Sequence, residues 1–64
     1  MIRLVKLTLA NEGGPVFVNP DYVITVREEW IEDYGRTRIS MHGLGYAFSV
    51  VESPSEVFER MRLP

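Results

Sequence analysis

Sixty-four residues carry seven Lys and Arg against nine Asp and Glu, a formal charge of -2, with 45% hydrophobic residues, one His and no Cys. A chain this short supports a single core over residues 1–64 and leaves little room for a deep catalytic cleft. The missing Cys and lone His remove disulfide and zinc reinforcement, the acidic balance disfavours phosphate binding, and the apolar content excludes disorder.

The opening "MIRLVKLTL" reads as a strand over residues 2–9. Arg3 and Lys6 interrupt its apolar run, which is too short for a signal-peptide core or a membrane span, so a soluble, cytoplasmic protein without membrane insertion is expected. In "ANEGGP" Asn11, Gly13 and Gly14 admit the positive φ of a turn, and Pro15, lacking an N–H, marks the start of a short second strand, Val16, Phe17, Val18. Asn19-Pro20-Asp21 then interrupts the apolar pattern. Pro20 fixes its own φ and holds Asn19 extended, and the Asn and Asp side chains accept from nearby amides, so a tight bend or one 3₁₀ turn is expected rather than an ion site.

"YVITVREEWI" alternates with period two and predicts the longest strand, with Tyr22, Ile24, Val26 and Trp30 facing the core and Val23, Thr25, Arg27 and Glu29 facing outward. A hairpin through "EDYG" leads to "RTRISMH", where Thr37, Ile39 and Met41 share the inner face opposite Arg36, Arg38, Ser40 and His42. A loop of two or four residues sets Trp30 against Ile39 or Thr37. After "GLG", "YAFSVV" turns Tyr46, Phe48 and Val50 inward; a loop at Gly43-Leu44 pairs Met41 with Tyr46, Ile39 with Phe48 and Thr37 with Val50, while one at Leu44-Gly45 keeps the same faces, so the faces follow from the sequence and the register does not. Finally "ESPSEVFERMRLP" combines Ser53, Pro54 and Glu56 into a capping box with proline at the first helical position. The short helix that follows presents Val57, Phe58 and Met61 to the sheet. The fold class is therefore α+β: an antiparallel meander of four to five strands with a C-terminal helix on one face.

Little in this inventory carries catalysis. His42 stands on the polar face beside a turn with no partner group, and the glycines of "HGLGYA" precede no helix, so no catalytic residue, cofactor or metal is expected. The acidic cluster Glu28, Glu29, Glu32 and Asp33, with Trp30 and Tyr34, is the candidate protein-binding surface if Trp30 is exposed; otherwise it is a solvated hairpin tip whose carboxylates pair with Arg36 and Arg38. Arg27, Arg36 and Arg38 form an alternative nucleic-acid surface, weakened by neighbouring acids and by aromatics that alternate inward.

The order of features, "MIRLVKLT", "VFVNPDYVITV", "TRISM", a glycine turn and "FSVVESPSEVFERM", resembles the short FlbD/SwrD family of flagellum-associated bacterial proteins. The resemblance implies a non-enzymatic accessory protein tied to flagellar function or motility, acting through protein contacts, and it assigns no binding or catalytic residue. From the residues alone, a module that binds a protein partner or itself as a homo-oligomer is expected. A phage or mobile-element protein that binds a host protein stands beside it.

Overall fold

The computed structural model describes residues 3–62. Strands β1 (Val5–Thr8) and β2 (Pro15–Val18) form an antiparallel hairpin in which Val5 faces Val18 and Leu7 faces Val16. Their connection is closed by Leu9 N–H donating to Gly14 O at 2.8 Å and Gly13 N–H to Leu9 O at 3.0 Å, with Gly13 at φ 73°. The Asn19-Pro20-Asp21 interruption is the expected bend: a 3₁₀ turn over Pro20–Tyr22, with Asp21 N–H donating to Asn19 Oδ1 and Tyr22 N–H to Asn19 O, both at 3.0 Å.

The second sheet holds β3 (Val23–Ile31), β4 (Tyr34–Met41) and β5 (Phe48–Val50), in that order. Between β4 and β5 the shared face is the expected one, and of the two registers left open the chain adopts that of the Gly43-Leu44 loop, with Thr37 opposite Val50 and Ile39 opposite Phe48. The ladder stops there: β5 begins at Phe48, and Tyr46, expected inward opposite Met41, is exposed. The two sheets touch at an isolated bridge between Leu9 and Val50, flanked by Ala10 N–H to Ser49 O and Val51 N–H to Thr8 O, both 2.9 Å. The strand order across that bridge is β2-β1-β5-β4-β3. The architecture is α+β with the sheet divided into two and three strands rather than one continuous meander, because β1 is only four residues long and turns away at Ala10 just where it meets β5.

Helix α1 (Pro54–Arg62) starts as its sequence requires, with Ser53 Oγ accepting from Glu56 N–H at 3.2 Å and Ser53 O from Val57 N–H at 2.9 Å. Half of the capping box is replaced: the Glu56 carboxylate accepts from Arg60, one turn on, at 2.6 Å. Val57 is fully buried and Met61 packs beside it, completing a core of Val5, Leu7, Val18, Ile39, Val50 and Val57. Each such aliphatic side chain contributes about 1.5–3 kcal/mol by leaving water. Phe58 was expected in the same stripe and instead points to solvent, because neighbouring helical positions diverge by about 100° and the Val57–Met61 row already occupies the contact.

The largest departure lies in β3. A bulge between Val23 and Thr25 shifts the alternation, so Val23 packs against the core while Ile24 is thrown outward. The hairpin closes on Glu32 and Asp33, which places Val26 opposite Ile39, Glu28 opposite Thr37 and Trp30 opposite Gly35, not opposite Ile39 or Thr37. Trp30 and Val26 lie on the core side of the sheet, yet both are exposed, as is Tyr22. Nine residues of helix span about 14 Å and nine residues of strand about 30 Å, so the distal half of the hairpin projects beyond anything able to cover it.

Candidate interaction surface

No aromatic residue is among the buried core residues, and only Phe48 packs against them. Of three Phe, three Tyr and one Trp, six are exposed and the seventh, Phe48, is half-buried. The buried core is instead aliphatic, and all the aromatics but Phe58, on the outer side of α1, distribute over two surfaces.

The first surface is the projecting hairpin. Trp30 is 63% exposed, and its six-membered ring lies over the backbone of Gly35, where an added Cβ would approach Cη2 to 3.1 Å. The missing side chain at Gly35 thus forms the seat for the indole. Ile31 and Tyr34 face each other beside the turn, both exposed. Glu32 adopts φ 55° at the first turn position, a left-handed conformation that costs a side-chain-bearing residue roughly 1–2 kcal/mol.

The carboxylates at this end are not equivalent. Glu29 accepts from Ser49 Oγ at 2.9 Å and pairs with Arg38 at 3.4 Å, so it belongs to the outer face of the sheet. Among the described residues Glu28, Glu32 and Asp33 make no ion pair, and Arg36 turns to Asn11 Oδ1 at 3.2 Å rather than to an acid. Only one of the expected cross-strand carboxylate–arginine pairs forms.

Arg27 and Arg38 are direct cross-strand neighbours, with Arg36 on the same face. Two of the three are engaged within the chain, whereas Arg27 has no carboxylate partner among the described residues. The aromatics expected inward are outside, but Trp30 lies on the opposite face from these arginines and only Tyr34 shares theirs. A stacking platform interleaved with cations, the requirement for single-stranded nucleic acid, is not assembled there.

The second surface is an open groove of about 690 Å³ between β2 and the segment joining β4 to β5, walled by Leu4, Phe17, Tyr22, Met41, Tyr46 and Phe48. Sequence alternation missed it, because Tyr22, Met41, Tyr46 and Phe48 read as inward-facing and Leu4 and Phe17 only as strand residues. His42 stands at its rim with its ring centroid 6.3 Å from that of Tyr22. No group of three or more His, Asp or Glu side chains able to hold a metal occurs among the described residues. No described helix is long and apolar enough to cross a membrane.

One polar cluster that the sequence did not reveal is internal. Glu52, 7% exposed, accepts from Thr8 N–H through Oε1 and from Thr8 Oγ1 through Oε2, both at 2.9 Å, and from Arg60 at 3.3 Å. Its carbonyl accepts from the buried Thr37 hydroxyl at 2.6 Å. Burial alone would raise the Glu52 pKa, but the Thr8 amide and hydroxyl, its own N–H and the Arg60 charge outweigh it and hold the carboxyl below its ordinary 4.5. This cluster joins β1, β4 and α1 and faces no cavity, so its role is to hold the fold.

Comparison of the chain with protein-family models, with curated proteins and with solved structures finds no match.

Proposed function

We propose that this chain is a non-enzymatic protein-interaction module that presents the hairpin of β3 and β4, with Trp30, Ile31 and Tyr34, to a protein partner in the cytoplasm. The observation that carries the reading is the placement of the aromatics: a small domain that could enlarge its core with seven rings leaves six outside, and Trp30 is seated on Gly35 at the projecting end. Solvent-exposed Trp and Tyr beside charged residues are the composition of binding hot spots. Contact rather than catalysis is favoured because His42 stands beside Tyr22 without a nucleophile or an orienting acid.

The resemblance of the motif order to the FlbD/SwrD family supports setting this contact in flagellar or motility function. Deletion of the gene from a motile source cell is then expected to reduce spreading in soft agar, and unchanged spreading refutes that assignment. The contact itself is tested by a photoreactive residue at Tyr34, compared with one at Glu59 on the exposed helix surface. A discrete adduct at Tyr34 that Trp30→Ala abolishes is expected. Equal labelling at both positions, or an adduct indifferent to Trp30→Ala, refutes the hairpin as the binding surface.

A further inference from the structure

Among the described residues strand β3 is the longest and lies at the end of its sheet, paired with β4 alone. In an antiparallel ladder the backbone polar groups of alternate residues face the partner strand and the others face away. The two-residue turn at Glu32-Asp33 directs the amide and carbonyl of Ile31 toward Tyr34, and with them those of Glu29 and Arg27 toward β4. The amides and carbonyls of Val26, Glu28 and Trp30 consequently form an open edge. Natural edge strands of this length are normally shortened, covered or guarded by inward charges. Here the inner face of the edge carries Val26 and Trp30, both exposed, on either side of a single inward charge, Glu28.

We infer that the occupant of this edge is a second copy of the same chain, its β3 antiparallel to the first about a two-fold axis at Glu28. This deepens the interaction-module reading and rests on it. A two-fold axis normal to the sheet keeps side chains on their own faces, so the numbers of opposed residues must sum to an even value, and the candidate registers can be compared directly. Centring on Arg27 sets Arg27 against its own copy and Val26 against Glu28. Centring on Glu29 sets that carboxylate against itself and strands Trp30 opposite Glu28. Centring on Glu28 sets Arg27 opposite Glu29 twice on the outer face and Val26 opposite Trp30 twice on the inner face.

The last register supplies what the single chain lacks. Arg27, without a carboxylate partner among the described residues, meets Glu29, whose Oε1 holds only the 3.4 Å contact to Arg38. The exposed Trp30 meets a branched aliphatic side chain, a favourable cross-strand pairing. The open edge closes with about six inter-chain backbone hydrogen bonds. Its one conflict is Glu28 beside its own copy at the axis, and that conflict makes the register testable.

Sedimentation velocity over a wide concentration range is expected to show a monomer–dimer equilibrium. Arg27→Glu should weaken it by at least tenfold, the charge swap Arg27→Glu with Glu29→Arg should restore it to within about threefold, and Glu28→Gln should tighten it by removing the like-charge pair. Far-ultraviolet circular dichroism on each variant separates lost pairing from lost fold. Because the chain has no cysteine, Glu28→Cys supplies a second probe: mild oxidation should link it to its own copy at least tenfold faster than Glu12→Cys, which lies in the β1–β2 turn and off the β3 edge. A monomer at every concentration, a dimer indifferent to Arg27→Glu, or equal linking at the two cysteines overturns the inference. Each of these results leaves the hairpin adduct at Tyr34 to be judged separately, since its mass distinguishes a foreign partner from a second copy.

Discussion

Glu52→Gln isolates the contribution of charge at the one buried carboxylate. The carboxamide keeps the side chain's shape, and its oxygen can still accept from Thr8 N–H where the carboxylate does at 2.9 Å. Its NH₂ group must then face either the Thr8 hydroxyl or the Arg60 guanidinium, both of which approach the other oxygen. Bonds to a charged acceptor are each worth about 1.5–3 kcal/mol, against about 1 kcal/mol when neutral. Two contacts from Thr8 are weakened, and the Arg60 pair is discounted because that arginine is largely solvated, so the loss is about 1–2 kcal/mol at neutral pH. In a domain of this size that lowers Tm by roughly 5–15 °C. The pH dependence supplies the sharper test. The folded-state pKa of Glu52 is depressed below 4.5, so its stabilisation is complete above that value and disappears as pH falls through the folded pKa. Thermal melts of wild type and variant from pH 7 to pH 3 should therefore converge at the acid end. Equal Tm values at pH 7, or a gap undiminished at pH 3, would refute the assignment of a stabilising ionised Glu52.

Three further substitutions probe other parts of the molecule. Leu7→Ala, at a fully buried position, is expected to cost about 2–5 kcal/mol in urea unfolding, enough to leave much of so small a domain unfolded; a cost under 1 kcal/mol would mean that the aliphatic cluster is not the stabilising core. Glu32→Gly relieves the left-handed turn position and should raise stability by about 1 kcal/mol, whereas a loss would show that the Glu32 side chain makes a compensating contact. Gly35→Ala puts a methyl where the indole rests, so Trp30 emission should shift and its quenching by acrylamide change while the melt moves by less than about 1 kcal/mol; an unchanged Trp30 signal would mean that the ring does not occupy that seat.

The elements that were legible in the sequence are those whose causes are local. The Asn19 bend, the Ser53 cap and the face shared by Thr37, Ile39, Phe48 and Val50 each follow from residues close in the chain, and each forms as read. The exposure of β3 was not legible, since alternation shows which residues share a face but not whether anything covers it. The bulge at Ile24 moved one residue outward, and a nine-residue helix left Val26 and Trp30 uncovered. The geometry of the candidate surface was not legible either: Glu29 turns to Ser49 and Arg38, Arg36 turns to Asn11, and Gly35 supports Trp30 instead of forming part of the turn. The Glu52 cluster was invisible because its main partner, Thr8, lies near the opposite end of the chain and no spacing rule connects Glu52 with Thr8, Thr37 and Arg60.

That separation has a consequence for the order in which the molecule assembles. Thr8 and Glu52 are 44 positions apart, while the pairs that close the β3–β4 turn are neighbours in the chain. The entropy of loop closure delays contacts of long span until shorter ones have brought their ends together. The middle of the chain can zip from its own turns, and the carboxylate clasp is made only after the hairpins have shortened the distance between its partners. A clasp of that span is expected to act as a latch on a structure already largely formed, so that its loss speeds opening more than it slows folding.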